Sequence, residues 1–476
     1  MSRPRRWIAT AVIGALSACA VGPDYETPAP PDVDAFGGAG DGIATAARVE
    51  QAWWSQLEEA QLDALILEAF SANHDLRIAR ANLAAARALL SEGRYDYFPT
   101  VTAEGSVARQ RNSADAFGSD VPIGAQIETF YDAGLDAIWE LDFFGRVRRA
   151  NEALAAEYRA TAFDQRFVYV TIAAEVARTY LELRGAQFRL QVARQNAENQ
   201  RQTYELTVSL LEGGRGTELD LARAEAQLQT TLATIPPLES EVARATHRLA
   251  VLTGRPPAAL DELLAEPEPD EILPALPELV GVGDPAALLR RRPDIHAAEQ
   301  RLAAATARIG VSVADLFPRV TLAGSAGYLA TDLDALGESR TERFSIGPTI
   351  SWAAFDLGRV RARIRAAEAE ADGLLAAYER TVLTALEETE NALVRFGRAR
   401  ERQLSIAVAS RASGRAAELA RLRYRNGVDS FLNVLDAEQR LLDAQDQSAV
   451  AETESALALV AVYKALGGGW EAAPNP

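Results

Sequence analysis

The run Gly145-Arg146-Val147-Arg148 recurs as Gly358-Arg359-Val360-Arg361, 213 residues further on. A repeat of that size constrains a fold more than any single motif does. The same offset pairs Trp139 with Trp352, Gly214 with Gly427, Leu219 with Leu432, Ala224-Glu225 with Ala437-Glu438, Leu228 with Leu441 and Gly254 with Gly467. Upstream, Phe98-Pro99 pairs with Phe317-Pro318, Asp75 with Asp294 and Leu83 with Leu302 at an offset of 219. The register changes only between Pro99 and Trp139, which marks a loop of altered length inside a tandem duplication.

Each half carries the same grammar. From Gly145 to Leu211 and from Gly358 to Arg425 the chain is rich in Ala, Arg, Glu and Leu and holds no Pro, a composition that favours helix throughout. At a rise of about 1.5 Å per residue each such helix runs on the order of 100 Å. Ile172, Val176, Tyr180, Leu183 and Leu190 recur at the spacing of a packed seam. A return helix follows each, from Thr217 to about Leu252 and from Ser430 to about Leu466, and Leu435, Leu442, Ala449 and Ala456 stand one heptad apart in the second. Pro236-Pro237 predicts a kink in the first, because Pro lacks the amide donor. Shorter helices are expected near Leu76 to Tyr95 and Ile295 to Leu316.

Between the helices the period changes to two. Phe344, Ile346, Pro348, Ile350 and Trp352 alternate with Ser345, Gly347, Thr349 and Ser351, and Val101, Ala103, Gly105 and Val107 alternate with Thr100, Thr102, Glu104 and Ser106. Val320, Leu322, Gly324, Ala326 and Tyr328 form a third apolar face, and Tyr131, Ala133, Leu135, Ala137 and Trp139 a fourth. Strands of about ten residues match a tilted bilayer crossing, and the aromatic residues near their ends resemble an interfacial girdle. Four strands cannot close a membrane barrel, since open edges are forbidden in lipid and the smallest single-chain barrels have about eight. Several chains must therefore share one barrel. Two copies bring eight strands and three bring twelve, and the residues alone do not choose.

The chain has 49 Lys and Arg against 67 Asp and Glu, a net charge of -18, and no basic tract after Arg6. That argues against nucleic acid as a partner, because phosphate binding needs clustered positive charge. One Cys forbids an intramolecular disulfide, and His74, His247 and His296 are too far apart for local metal spacing. No G-x-S-x-G, HExxH or P-loop pattern is present, so the chain is not expected to be an enzyme. At the start, Arg3, Arg5 and Arg6 precede the apolar run Trp7 to Leu16, the pattern of a secretory signal. Leu16-Ser17-Ala18-Cys19 resembles the lipobox of bacterial lipoproteins, in which the Cys, here Cys19, carries a covalent lipid. Ala20 after it resembles the outer-membrane sorting pattern.

Cys19-Ala20-Val21-Gly22-Pro23-Asp24-Tyr25 followed by Pro28, then Trp53-Trp54 before Leu62-Asp63-Ala64-Leu65-Ile66, then the two Phe-Pro strand entries and the segment Tyr424 to Asp436, resemble the outer-membrane efflux channels of the TolC and OprM type. The similarity is strongest to the NodT-like lipoproteins of tripartite pumps and runs from Cys19 to about Gly469. It implies a mainly α fold with a membrane β part: a long α-helical barrel below a homotrimeric, twelve-stranded transmembrane β-barrel, four strands per chain. It also implies a gated conduit in the outer membrane of a Gram-negative bacterium, working with a periplasmic adaptor (membrane fusion) protein and an inner-membrane transporter of the resistance-nodulation-division kind. No cofactor is implied beyond the lipid on Cys19.

The turns Gly213-Gly214-Arg215-Gly216 and Asn426-Gly427 are expected at the periplasmic tip, since Gly supplies the positive φ of a tight helix hairpin. The resemblance places adaptor contact at Gly213, Gly214, Gly216, Asn426, Gly427 and Asp429. It makes Asp436 a ring-forming acid at the closed constriction and Tyr424 a link between neighbouring coils. Asn433 stands where relatives can have a second acid, and Asp429 where they can have a basic link. Asp220 and Arg223 occupy the corresponding positions of the first half, and an Arg223 to Asp436 pair is a candidate contact.

The expected organisation is a signal peptide (1–18), an extended strap (19–59), and a first repeat (60–253) with strands 100–111 and 127–140, long helix 145–211, turn 212–216 and a return helix. A Pro-rich linker (254–283) leads to the second repeat (284–469), with strands 319–330 and 343–352, long helix 358–425, turn 426–429 and a return helix, and then a tail (470–476). The alternatives are a duct of the same fold serving type I protein secretion, and a periplasmic coiled-coil structural lipoprotein, which would lack the paired amphipathic strands.

Overall fold

The computed structural model describes residues 20–29, 35–37, 44, 45, 47, 50–111, 127–265, 273–277 and 279–472. Cys19, the rest of the signal segment and the loop 112–125 lie outside them. Nine helices are described: α1 (Ala60–Ala72), α2 (His74–Tyr95), α3 (Arg146–Glu212), α4 (Glu218–Leu232), α5 (Ile235–Leu252), α6 (Pro285–Arg291), α7 (Pro293–Ala314), α8 (Leu357–Arg425) and α9 (Phe431–Ala465). The strands are β1 (Ala44–Thr45), β2 (Thr100–Arg111), β3 (Ile127–Leu141), β4 (Val280–Gly281), β5 (Arg319–Ala330) and β6 (Glu342–Ser351). No described helix is long and apolar enough to cross a membrane. The chain divides into two compact units, with the boundary falling inside α2, α3, α7 and α8.

The first unit gathers Met1–Pro28, Asn82–Ala162 and Ala297–Glu379. Its centrepiece is an antiparallel sheet in the order β2-β3-β5-β6. The register aligns like with like: Val101, Ala103, Gly105 and Val107 stand opposite Ala137, Leu135, Ala133 and Tyr131. Those in turn face Gly324, Ala326, Tyr328 and Ala330, and on the far side Ile346 and Phe344 face Gly324 and Ala326. Because side chains alternate with period two, matched registers give one continuous apolar face and one polar face. The apolar face is bare, with Phe344 84% and Ile346 74% exposed.

Where the sheet meets the helices, the repeat is visible in individual bonds. Trp139 donates its indole N–H to the carbonyl of Tyr97 at 3.0 Å, and Trp352 donates to Leu316 at 3.0 Å. Phe144 stacks on Phe317 with ring centroids 4.7 Å apart, while Phe98, Trp352 and Phe355 are exposed beside them. The strap is pinned at the same junction. Arg149, its side chain 5% exposed, pairs with Asp24 at 2.6 Å and donates to the carbonyl of Val21. Gly22, at φ +95°, lies so close to Gly310 that a Cβ on it would sit 2.4 Å from the Gly310 Cα.

The second unit gathers Ala29–Ala81, Phe163–His296 and Arg380–Pro476. Its core is built on aromatic residues from the N-terminal block: Trp53 stacks on Tyr463 at 4.9 Å, Trp54 meets Phe70 edge-on, and Phe70 meets Tyr169. Ile172, Val176, Tyr180, Leu183 and Leu190 are all buried, as their spacing required. In the second return helix the stripe is shifted by one residue. Phe431, Val434, Glu438 and Leu441 are buried, while Leu435 and Leu442 are only half-buried. The heptad set Leu435, Leu442, Ala449 and Ala456 therefore marks the flank of the seam at its first two positions and enters the core only at Ala449 and Ala456.

The first return helix is a break rather than a kink. α4 ends at Leu232 and α5 begins at Ile235, with Pro at its start, because two successive prolines lack the amide N–H groups that would donate to the preceding carbonyls in a continuous ladder. The strap also contributes β1, which pairs in parallel with β4 of the linker, Ala44 opposite Val280. Strand patterning of two residues is too short to be read from sequence.

Candidate functional site

Two surfaces carry the polar chemistry, and they belong to different units. On the polar face of the sheet, Glu104, Gly134, Gly327 and Arg343 form one lateral row across all four strands. Gly134 and Gly327 are packed too tightly for side chains, since a Cβ on Gly327 would meet the Gly134 Cα at 2.5 Å. Over this bare floor Arg343 reaches from β6 past β5 to Asp132 on β3, with its Nη2 at 2.7 and 2.8 Å from the two carboxylate oxygens. One row along, Asp136 faces Thr102 and Ser325, and the Ser325 and Ser345 hydroxyls bond at 2.9 Å. The face is polar and net acidic at mid-strand. A sheet with this face and a bare apolar one suits water on one side and hydrocarbon on the other.

The second surface is formed by the inter-helix turns. At the end of α3 the Arg215 amide bonds to the Leu210 carbonyl at 2.8 Å and the Gly214 amide to Leu211 at 2.9 Å. At the end of α8 the Val428 amide bonds to Arg423 at 3.0 Å and the Gly427 amide to Tyr424 at 2.8 Å. Both are Schellman caps, which satisfy the orphan carbonyls of a helix end through a left-handed residue. Gly214 and Gly427 supply it, with φ of +68° and +72°. Gly213 and Asn426 stay in ordinary φ, and Gly216 serves by close approach, because a Cβ there would sit 2.9 Å from the Leu211 amide nitrogen.

After each turn local polar groups bond at the start of the return helix, and in the first they cap it. Thr217 accepts from the Asp220 amide and donates its hydroxyl to the Asp220 carboxylate at 2.7 Å. In the second turn the return helix has no side-chain cap, and Asp429 ties the turn together instead, accepting from the Ser430 amide at 2.9 Å, the Asn433 side chain at 2.5 Å and Arg423 at 3.1 Å. These bonds, the Asn433 contact foremost, hold the Asp429 carboxyl below the usual carboxylate range. Asp220 is thus engaged in the cap of the first return helix, and Asp429 and Asn433 in closing the second turn. Asp436 is exposed and pairs with Arg440 one turn along its own helix at 3.2 Å. Within the chain Arg223 is exposed and is not brought to Asp436.

Tyr424 is half-buried against Phe431, with centroids 5.3 Å apart, in a cluster with Ala224 and Val434 and, at its margin, Tyr204. Burial, aided by the nearby Asp220 carboxylate, pushes its phenol above the ordinary range, so it stays a neutral hydrogen-bond donor. Beneath this cluster the structure places a residue the sequence reading passed over. Glu438 is 3% exposed and accepts from Arg421 at 2.7 Å and from the Thr203 hydroxyl at 2.9 Å. Its signal was available: Glu438 continues the three-and-four spacing from Phe431 and Val434.

The model of the family described as outer membrane efflux protein matches residues 65–255 and 285–468. The chain belongs to that family. Outer membrane protein OprJ of Pseudomonas aeruginosa is 33% identical over 457 residues, covering 96% of this chain and 94% of that one. The toluene efflux pump outer membrane protein TtgI of Pseudomonas putida is 33% identical, covering 97% of each. Among solved structures, the outer-membrane channel OprN is 45% identical with a TM-score of 0.88, covering 95% of this chain and 100% of that one. As an outer membrane efflux protein, the chain is the outer-membrane component of an efflux pump, extends into the periplasm, is no enzyme and needs no cofactor.

Proposed function

We propose that three copies of this chain close one twelve-stranded barrel and conduct small molecules passively from the periplasm to the exterior. The observation that carries this reading is the register-matched sheet, apolar on one face and polar on the other, whose outer strands β2 and β6 have no partner on their outer edges among the described residues. Unpaired edges are intolerable in hydrocarbon, so the sheet must be completed by other copies. Eight strands leave an interior that side chains fill, whereas a larger number leaves a water-filled one. Three copies, the number the family resemblance implies, meet both demands.

In this reading Cys19 carries the lipid, and the pinned strap holds its neighbour Ala20 against Gly145, at the rim where the exposed aromatic residues gather. The residues around Gly213, Gly214, Gly216, Asn426, Gly427 and Asp429 meet a periplasmic adaptor, which couples the duct to an inner-membrane transporter of the resistance-nodulation-division kind. Asp436 from three chains converges at the closed tip, with Tyr424, Asn433, Asp220 and Arg223 around it. Like charges in a constriction repel each other and attract cations, so they bias both opening and selection. TtgI is named for toluene export, and in this reading the choice among such cargoes rests with the transporter.

The test is to purify the full chain in detergent, measure its stoichiometry by native mass spectrometry, and insert it into planar bilayers. Trimers with stable, cation-preferring conductance are expected, and Asp436→Asn should weaken the cation preference. Monomers that insert no conductance would overturn the proposal.

A further inference from the structure

We infer that Glu438, through Arg421 and Thr203, is the positioning residue that holds the helix tip in its packed arrangement, a role separate from that of the exposed Asp436. The inference rests on the conduit reading above for its consequence in transport, and on the structure alone for the packing.

The ionic contacts near the turns differ in what they join. Arg423 and Asp429 close the turn itself, and Asp436 with Arg440 stays on one face of α9. Glu438 joins three helices: it sits on α9, takes Arg421 from α8 and takes Thr203 from α3, which belongs to the other half of the chain. Both bonds fall on one oxygen. The other, Oε2, is buried with no hydrogen-bond partner. An ionised carboxylate has about four acceptor sites, so this network is only partly satisfied, and a partly satisfied buried charge makes its two bonds sensitive to any change of packing. A cavity of about 330 Å³, lined among others by Thr203, Arg421, Tyr424 and Val434, lies beside it. If the helices part, water reaches the pair from there and solvates both charges.

Such a pair has a distinctive response to substitution. Removing Arg421 strands the buried Glu438 carboxylate, and removing the Glu438 charge unties Arg421, which is partly exposed and is resolvated at smaller cost; either change loosens the packing, whereas replacing both with apolar side chains of similar volume leaves it intact or firmer. The repeat supplies the control. Glu225 is the same residue type at the equivalent position of the first half, but it is exposed.

The experiment uses the full-length protein with Glu438→Gln, Arg421→Met, the double variant Glu438→Met/Arg421→Met, and Glu225→Gln. Hydrogen exchange of residues 199–207 and 421–441 reads tip packing whether or not the protein conducts, and planar-bilayer recording reads the gate. Each single variant should exchange faster at the tip, with unchanged protection in β3 and β5, and should raise the open-to-closed ratio on the order of ten- to a hundredfold. The double variant should return to wild-type behaviour in both, and Glu225→Gln should match wild type throughout. Single variants with wild-type exchange at the tip would overturn the inference, and so would a double variant as loose as the singles. Faster exchange without any change in gating, in a wild type that conducts, would overturn the link to transport. A wild type that never conducts, with the exchange pattern as expected, would leave the packing role standing and remove the conduit reading instead.

Discussion

Arg292 donates through Nη1 to the carbonyl of Ala465 at 2.8 Å and so closes the last turn of α9. Asn73, 219 residues earlier, donates through Nδ2 to the carbonyl of Leu252 at 2.9 Å and closes α5 in the same way. The last carbonyls of a helix have no intrahelical partner, and each half of the chain answers that need from the residue just before, or at the start of, its short helix. Arg292 is 4% exposed and also holds Asp294 at 2.7 Å and Glu388 at 2.9 Å. Its loss leaves the buried Ala465 carbonyl with only the long 3.5 Å contact from the Thr389 hydroxyl and the partly buried Asp294 carboxylate without its Arg292 donor, while the half-exposed Glu388 is resolvated at little cost. Arg292→Ala is expected to cost about 2–4 kcal/mol, seen as a lower apparent melting temperature by circular dichroism. Asn73→Ala should cost less, about 1–3 kcal/mol, since no charge is stranded.

The positive-φ glycines at the helix ends separate strain from crowding. Gly427 lies at φ +72° with nothing near its missing Cβ, whereas Gly254 lies at φ +73° with the Ala72 carbonyl oxygen only 2.8 Å from where a Cβ would go. Gly427→Ala should therefore cost about 1–2 kcal/mol, the backbone penalty alone. Gly254→Ala must also displace backbone and should cost more. Equal melting temperatures for the two variants would contradict this division.

Much of the fold was legible in the sequence because the two periods are written without interruption. The alternation from Phe344 to Ile350 falls within β6, and the proline-free stretches coincide with α3 and α8 to within one residue at each end. The aromatic part of the second unit's core was not legible. Trp53 and Trp54 precede the first long helix and show no period, so only tertiary packing reveals Trp53 stacked on Tyr463 more than four hundred residues away. At the tip, spacing gave the turns and their glycines. It did not give the local bonds of Asp220, Asn433 and Asp429, which depend on side-chain geometry, and although the spacing from Phe431 and Val434 put Glu438 on the buried face, an acid is assigned to solvent until its neighbours are known.

Acid should loosen the second turn only at extreme pH. The Asp429 carboxyl is held below its ordinary value by Asn433, the Ser430 amide and Arg423. A carboxyl depressed in the folded state contributes stability that is present above its unfolded value and is lost as pH falls through the folded one. Through the neutral and mildly acidic range the turn should therefore be unaffected. Below the usual carboxylate range, amide exchange at 426–433 should accelerate in wild type, and the acceleration should be absent in Asp429→Asn, whose turn has no titrating group to lose.

The two faces of the sheet should respond oppositely to the same charge. Ile346 stands on the apolar face, 74% exposed and opposite Gly324, while its neighbour Ser345 stands on the polar face opposite Ser325. An Arg at mid-strand on a lipid-facing position costs about 2–4 kcal/mol, and in a trimer that penalty is incurred three times over. Ile346→Arg should therefore sharply reduce the amount of heat-resistant, membrane-inserted protein recovered from outer-membrane fractions. Ser345→Arg faces water in the proposed channel, so insertion should be close to wild type while the added positive charge lowers the preference for cations in bilayer recordings. Reversed results, with Ser345→Arg failing to insert and Ile346→Arg changing selectivity, would mean that the apolar face is turned inward and the sheet does not line a water-filled duct.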